Sequence, residues 1–372
     1  MPAVSVLNKS GFDGQRLQLA REFCDLTQKQ LGEKVAASHA LVSLCESGKR
    51  TEPATDLVEA FGTVLGFGTD FFYQSTGEIF REAECSFRHR RSTPERLKTK
   101  IRAHASLLGM VLERLRAYLK FPALNIPRIS TSTDEEIERA AEETRRHWGL
   151  GMEAPIAEIG RVMEHAGVFL VSHLAESPQV DAFSRDGSTA LIFLNHSVQS
   201  TSRWIFDIGH ECGHLVMHSG IQTGTEETEA AADRFAGAFL LPRGAFAREF
   251  RTSPFSWNHV FKLKKRWKAS AAAIIKRAYD LRLIDAVDYR QSFKYMSSMN
   301  WRKGGEPHEP EFKGPELLST ALCSLGTKIE LTVEQLCRDL HFTPSTFLAV
   351  TGASVRAVRG KEVEVIPIRA AR

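Results

Sequence analysis

The sequence predicts a multidomain protein in which a small all-α domain precedes an α+β domain and a helical C-terminal region. The chain has 372 residues, more than one ordinary hydrophobic core accommodates. Short apolar-periodic segments with brief turns occupy residues from about 12 to 72, the pattern of a small helical domain. Two β-like runs, GVFLVSH and TALIFLNH, lie between longer helical patterns and indicate the mixed domain.

The composition is typical of a soluble globular protein, with 42% hydrophobic and 25% charged residues. No apolar run approaches the roughly 18 residues that span a bilayer, and the N-terminus has no secretion-signal pattern. The six cysteines lie far apart without a C-x-x-C pair, which favours reduced thiols. We therefore expect a cytoplasmic protein that binds no membrane. The net charge of +4 does not by itself indicate nucleic-acid binding.

Residues 26–53, LTQKQLGEKVAASHALVSLCESGKRTEP, have the pattern of two short helices joined by a tight turn. Thr27 and Ser38 are good N-caps for these helices, and Gly48 ends the second one. This geometry places the second helix in the major groove of double-stranded DNA. Base edges would face Ser38, His39, Ala40 and Ser43. Phosphates would be contacted by Gln28, Lys49 and Arg50. A helical interaction domain that touches no DNA is the alternative.

The same run resembles the Cro/C1-type (Xre) helix-turn-helix family. The family elements T-Q-x-x-L, S-x-x-x-[IV]-S and E-x-G-K-R-x-x-P correspond here to Thr27-Gln28, Leu31, Ser38, Val42-Ser43, Glu46, Gly48-Lys49-Arg50 and Pro53. The chain departs from the pattern at Gly32, Ala36 and Ala37, where the family usually has Ala, Gly and Val. The resemblance implies a transcription regulator that binds an operator.

Residues 202–218, SRWIFDIGHECGHLVMH, contain the pattern H-E-x-x-H. His210 and His214 lie four residues apart, so on a helix both imidazoles project from one face and can share a metal ion. Zinc would lower the pKa of a bound water towards about 7, and Glu211 would take its proton as the water attacks a carbonyl. Two ordinary histidines on the polar face of a helix are the alternative.

A catalytic zinc ion needs a third protein ligand and an open position. Glu229 begins an apolar helix and Asp233 follows one turn later, which offers a ligand and a carboxylate able to hold a ligating His ring. Glu226 and Glu227 compete for the ligand role but lack a carboxylate one turn ahead. Further nearby residues are expected to have supporting or structural roles: His218, Cys212 and His196.

The phrases FDIGHECGHLVMH and EAAADRFAGAFLLP are similar to the ImmA/IrrE family of metallopeptidases, in which an H-E-x-x-H helix precedes an E-x-x-x-[ND]-x-F-A-x-x-L-L-x-P helix. Members often have an Xre-type domain in front, and the resemblance covers roughly residues 12 to 310. It implies zinc ligands at His210, His214 and Glu229 and a general base at Glu211. Asp233 stands where many relatives have Asn. It also implies cleavage of a repressor in a stress or phage response.

Four segments follow from these patterns. They are an all-α helix-turn-helix DNA-binding domain of the Cro/C1 type at 11–73, a basic helical linker at 74–125, an α+β zincin-like metallopeptidase domain at 126–300, and a helical C-terminal region at 301–372. Between Arg81 and Lys120, eleven Lys and Arg stand against four Asp and Glu, which suits either a phosphate-facing surface or a solvated helix. In the tail, TVEQLCRDLHFTPSTFLAV hints at another helix-turn-helix, but a helical cap on the peptidase domain or a dimer contact is favoured.

The expected function is that of a DNA-binding transcription regulator whose zinc-dependent peptidase domain, a hydrolase, cleaves a regulatory protein such as a repressor. The substrate is expected as an extended strand beside an edge strand such as TALIFLNH. The alternative is a regulator whose zincin-like domain is a non-catalytic sensor or partner-binding module. A homodimer is left open.

Overall fold

The computed structural model describes residues 11–75, 85–89, 95–174, 180–185, 189–195, 200–221, 223–251, 255–301, 305–325, 332–357 and 363–367. The chain divides into two compact units. Unit 1 comprises residues 1–82, 93–121 and 318–372, and unit 2 comprises residues 83–92 and 122–317. Within the described ranges, no helix is both long enough and apolar enough to cross a membrane.

Unit 1 begins with a helical domain. Its elements are α1 (Gly14–Phe23), α2 (Gln28–Lys34), α3 (His39–Glu46), α4 (Thr55–Leu65) and the 3-10 helix η1 (Thr69–Tyr73). The turn between α2 and α3 is tight, since a Cβ at Gly32 would lie 2.6 Å from the carbonyl oxygen of Ala37. The left-handed residue of this turn is Ala36, at φ 53°. Two of the three departures from the Xre pattern thus have a geometric meaning: glycine is needed at position 32, and alanine adopts the strained left-handed conformation at position 36.

The helix α5 (Glu95–Arg116) belongs to unit 1 and has a buried apolar face that includes Leu107, Leu108, Val111, Leu112 and Leu115. It packs against α1. Unit 1 therefore contains much of the segment that the sequence predicts as a linker. The predicted domain boundaries stay a prediction.

The C-terminal part of unit 1 repeats the helix-turn-helix geometry. Its elements, with the first residue of α14 lying just before the unit, are α14 (Leu317–Ser324), α15 (Val333–Leu340), α16 (Pro344–Thr351) and the antiparallel strands β5 (Ala353–Ala357) and β6 (Val363–Pro367). Counterparts stand at one constant spacing along the chain: Thr332 for the N-cap Thr27, His341 for the left-handed Ala36, and Thr343 for the N-cap Ser38. The hint of a second helix-turn-helix in the sequence thus corresponds to real backbone geometry.

Helices α15 and α16 belong to unit 1, where both pack against α5, and the expected cap on the peptidase domain stays a prediction. His104 of α5 bonds to the carbonyl oxygen of Val350 through Nε2, at 2.7 Å. Phe342 packs on Phe67, with ring centroids 5.4 Å apart. The C-terminal region thereby shares the core of the N-terminal helices.

Unit 2 contains a four-stranded sheet flanked by helices. The first elements are β1 (Cys85–His89), α6 (Asp134–His147), α7 (Ile159–His165), β2 (Phe169–Leu174), β3 (Val180–Arg185) and β4 (Leu191–Asn195). The strand order is β1-β3-β4-β2, with β2 parallel to β4 and the other pairs antiparallel. The expectation that TALIFLNH forms an edge strand is wrong. Both sides of β4 are paired with neighbouring strands, so no substrate strand can be added there.

The remaining helices of unit 2 complete an α+β domain. They are α8 (Thr201–Met217), α9 (Glu226–Leu240), α10 (Arg243–Phe250), α11 (Trp257–Trp267), α12 (Ala271–Asp280) and α13 (Ala286–Ser298). Glycines allow α8 and α9 to approach closely: a Cβ at Gly213 would lie 3.0 Å from Phe235. The predicted fold class, a helix-turn-helix domain followed by an α+β domain and a mainly helical C-terminal region, is confirmed.

Candidate metal centre

Helix α8 buries all three polar residues of the H-E-x-x-H pattern inside unit 2. Ser200 caps the helix by accepting a hydrogen bond from the backbone N–H of Arg203. The second half of the helix, residues 207–217, is buried throughout. His210, Glu211 and His214 are each at most 2% exposed. Buried polar groups of this kind are retained where they are satisfied by partners or by a bound ion.

Helix α9 brings a carboxylate to the two histidines. Nε2 of His210 lies 3.3 Å from Oε2 of Glu229, and Nε2 of His214 lies 3.4 Å from Oε1. The two Nε2 atoms are themselves 3.1 Å apart. Within the part of the chain that the structure describes, these three residues form the one group able to hold a metal ion, with ligand atoms all within 4.8 Å of one another.

These distances fit a tetrahedral ion. Ligand bonds of about 2.0–2.1 Å to zinc separate neighbouring ligand atoms by about 3.3 Å. The two Nε2 atoms, 3.1 Å apart, are close to this value, and each of them has a different oxygen of Glu229 at 3.3 or 3.4 Å. Two imidazole nitrogens and one carboxylate oxygen also form the donor set that zinc accepts, with a fourth position left for water or substrate. The residues present therefore fit a zinc ion.

Asp233 lies one turn after Glu229 and holds the ring of His210. Its Oδ1 is 2.8 Å from Nδ1 of His210. A carboxylate accepts the hydrogen bond there, so the proton of the neutral His210 ring is on Nδ1, and Nε2, which lies near Glu229 and His214, keeps its lone pair. The structure thus brings Asp233 into contact with the ring of His210.

Electrostatics keep the donors in their ligating states. Burial lowers the pKa of His214 to about 4, so its imidazole is neutral at pH 7. Burial alone would raise the pKa of Glu229, but its contacts with His210 and His214 outweigh that effect and hold the pKa below its usual value. Neutral imidazole and ionised carboxylate are the forms that bind a divalent ion.

The other residues that the sequence analysis named near the metal site are not among the three clustered ligands. Glu226 and Glu227 are exposed and lie outside the three-residue cluster. Cys212 is fully buried in the apolar core, and burial raises the pKa of its thiol. Nδ1 of His218 lies 2.9 Å from Nδ1 of His214. His196 is outside the described residues.

A cavity of about 1070 Å³ adjoins the site, and Asp233 and His218 lie in its wall. Its lining includes apolar side chains and cations: Phe206, Phe293, Met296, Trp301, Arg203, Arg234, Lys276 and Arg277. These residues come from α8, α9, α12, α13 and the chain just after α13. Sequence reasoning missed them because no local pattern links segments so far apart.

The predicted DNA-facing residues lie at the start of α2, at the start of α3 and just after the end of α3. Those exposed to solvent are Ser38, His39, Ala40, Lys49 and Arg50, and Ser43 is half-buried. Gln28 differs from the rest, because its Nε2 donates to Oε2 of Glu46 at 2.7 Å inside the domain. Glu46 also pairs with the buried Arg21, at 2.5 and 2.9 Å, so this network joins α1, α2 and α3.

Two family models match parts of the chain. Residues 14–70 match the model of a helix-turn-helix domain, and residues 163–279 match that of the IrrE N-terminal-like domain of the M78 peptidase family. The second match spans the chain from within α7 to within α12 and so includes all residues of the metal cluster. No curated protein matches the chain. The expected joining of a helix-turn-helix domain to an ImmA/IrrE-like domain is confirmed.

Proposed function

We propose that this chain is a cytoplasmic transcription regulator that binds double-stranded DNA through α2 and α3 and has a zinc-dependent peptidase domain in unit 2. The substrate is a regulatory protein, and a repressor is the predicted case. The observation that carries the peptidase proposal is the convergence of His210, His214 and Glu229 at separations of 3.1–3.4 Å. Membership of the second domain in a peptidase family supports it.

Zinc bound by His210, His214 and Glu229 would supply a Lewis acid that polarises the scissile carbonyl and lowers the pKa of water. Glu211 follows the first ligand on α8 and is the general base: it accepts the proton of the attacking water and passes it to the leaving amine. Asp233 keeps the ring of His210 in its ligating tautomer. Burial of Glu211 excludes bulk water that would compete for the proton.

The substrate enters the cavity beside Asp233 and His218. The apolar wall made by Phe206, Phe293 and Met296 accepts an apolar side chain, because burying such a side chain is favourable. Pairing of a substrate strand with β4 is not part of the proposal, since both sides of β4 are occupied.

Metal content and cleavage together test the peptidase. The wild type and the variants Glu211→Gln and Glu226→Gln are compared for zinc by elemental analysis and for cleavage of a random peptide library. Glu226 lies on the same helix as Glu229 but is exposed and does not line the cavity, so its variant is the matched control. We expect one zinc in all three proteins, with turnover lost by several orders of magnitude in Glu211→Gln alone. Zinc in all three and cleavage in none supports the alternative, a non-catalytic sensor or partner-binding module.

A further inference from the structure

His218 stands at the end of the metal-binding helix and turns back onto it. Helix α8 ends at Met217, and the backbone N–H of His218 donates to the carbonyl oxygen of His214 at 2.9 Å. The imidazole rings of the two residues are also in contact: Nδ1 of His218 lies 2.9 Å from Nδ1 of His214, and the ring centroids are 5.1 Å apart. The two side chains thus form a hydrogen-bonded pair of imidazoles one turn apart.

The proton in this pair has a defined position when His214 binds a metal ion. A neutral imidazole has one N–H and one lone pair, and coordination through Nε2 requires the proton on Nδ1. That Nδ1–H faces Nδ1 of His218, which therefore accepts. His218 then keeps its own proton on Nε2.

We propose that His218 is a positioning residue that fixes the ring and tautomer of His214, as Asp233 fixes those of His210. The inference rests on the proposed zinc site and goes beyond it by assigning a further residue. Each histidine of the site then has its own acceptor at Nδ1, at 2.8 Å for His210 and 2.9 Å for His214. One acceptor comes from α9 and the other from the end of α8.

Two other roles for His218 fit less well. As a fourth zinc ligand it would close the position that a catalytic ion keeps open, and it is not part of the three-residue cluster. As a surface residue it would be well exposed, whereas it is half-buried at the edge of the cavity and bonded to a buried ring.

Substitutions that move the acceptor distinguish these roles. In His218→Asn, the amide oxygen can occupy nearly the position of Nδ1, whereas in His218→Gln it lies one bond further out. His218→Leu removes the acceptor and leaves a buried Nδ1–H on His214 without it. Zinc affinity of the full-length proteins is measured by competition with a chromophoric chelator, and the cobalt-substituted proteins are compared by visible absorption.

We expect zinc affinity to fall by about 10- to 100-fold in His218→Leu and His218→Gln, the usual effect of losing a residue that holds a ligand. His218→Asn should stay near the wild type in affinity and in its cobalt spectrum. Thermal unfolding of the metal-free proteins reports folding, and if His218→Leu does not fold, the comparison of Asn with Gln decides.

The inference is overturned if His218→Leu binds zinc like the wild type, or if Asn loses as much affinity as Gln. Equal losses for Asn and Gln would instead point to a ligand or a packing role for the imidazole. A wild-type protein that binds no zinc overturns the proposed function itself, so the two failures are distinguishable.

Discussion

Ala36 and His341 occupy the same backbone position in the two helix-turn-helix motifs of unit 1, at φ values of 53° and 56°. Each is the left-handed residue after the first helix of its motif, and each is followed two residues later by the N-cap of the second helix. The two motifs differ at the positions that would face DNA. His39, Ala40 and Ser43 of the N-terminal motif correspond to Pro344, Ser345 and Leu348, which offer fewer polar groups to base edges.

Replacing Ala36 with glycine should stabilise the N-terminal helix-turn-helix motif. The left-handed conformation costs an L-residue about 1–2 kcal/mol, and glycine adopts it freely at an entropic cost of about 0.5–1 kcal/mol. We expect Ala36→Gly to raise the local opening free energy by roughly 0.5–1 kcal/mol. Hydrogen exchange of the α2 and α3 amides measures it. Ala37→Gly is the control, because φ at Ala37 is not positive, and it should destabilise instead.

Loss of the Phe342 ring should destabilise unit 1, including the N-terminal DNA-binding helices. Phe342 is buried and packs on Phe67 and Phe71 at centroid distances of 5.4 and 5.9 Å. Truncating a buried Phe to Ala costs about 3–5 kcal/mol. We expect Phe342→Ala to reduce protection of α4 from hydrogen exchange. The exposed Phe255 of unit 2 is the control; equal protection of α4 in Phe342→Ala and Phe255→Ala would contradict the shared core.

Lys49 and Gln28 should respond differently to alanine substitution. Lys49 is exposed, and loss of one phosphate contact should weaken DNA binding at all sequences and reduce the salt slope of log K by about 1. Gln28→Ala removes a hydrogen bond to Glu46 and should lower the stability of the domain by about 1 kcal/mol. The two effects are distinguished by measuring operator binding of both variants over a series of salt concentrations and their denaturant unfolding in parallel. If Gln28→Ala keeps the stability of the wild type but has a reduced salt slope of log K, Gln28 contacts a phosphate, as the sequence predicts, and the structural role is contradicted.

Two glycines of α8 make a matched pair at the metal site. A Cβ at Gly213 would lie 3.0 Å from Phe235 of α9, whereas a Cβ at Gly209 would be in ordinary contact with Ala236 at 3.5 Å. We expect Gly213→Ala to push α9 away, move Glu229 from the histidines and lower zinc affinity. Gly209→Ala should bind zinc like the wild type. Chelator competition compares them, and similar affinities would show that the distance between α8 and α9 does not control the site.

Buried Glu164 should make the stability of unit 2 depend on pH. Burial raises its pKa above the usual value, although backbone N–H groups of Leu317 and Glu316 donate to Oε1 at 2.7 and 2.8 Å. The folded state therefore binds this proton more tightly than the unfolded state, so the stabilisation is complete below the unfolded pKa of 4.5 and is lost as pH rises through the higher folded pKa.

Glu164→Gln should remove this dependence. The difference in unfolding free energy between wild type and variant is expected to shift in favour of the variant as pH rises from about 4 to 7. Denaturant unfolding at several pH values measures it. A difference that stays constant over this range would contradict the raised pKa.

Much of the candidate site follows from sequence because its parts are local. Spacing within α8 places His210 and His214 on one face, and spacing within α9 places Asp233 one turn after Glu229. Glu226 and Glu227 compete with Glu229 for the ligand role, but neither has a carboxylate one turn later. Both are exposed to solvent in the structure, in agreement with that argument. The sequence offered only a hint of the second helix-turn-helix, and its N-caps at Thr332 and Thr343 are identified by the structure.

The sequence by itself determined which helices form and which polar groups each helix turns to one side, because helical periodicity depends on residues at most four positions apart. Tertiary structure alone decided which helix faces meet, that β4 is an inner strand, that α15 and α16 pack on α5, and that Gln28 contacts Glu46. Those contacts join residues up to hundreds of positions apart. They are selected by the packing of whole surfaces, a property that no short stretch of sequence contains.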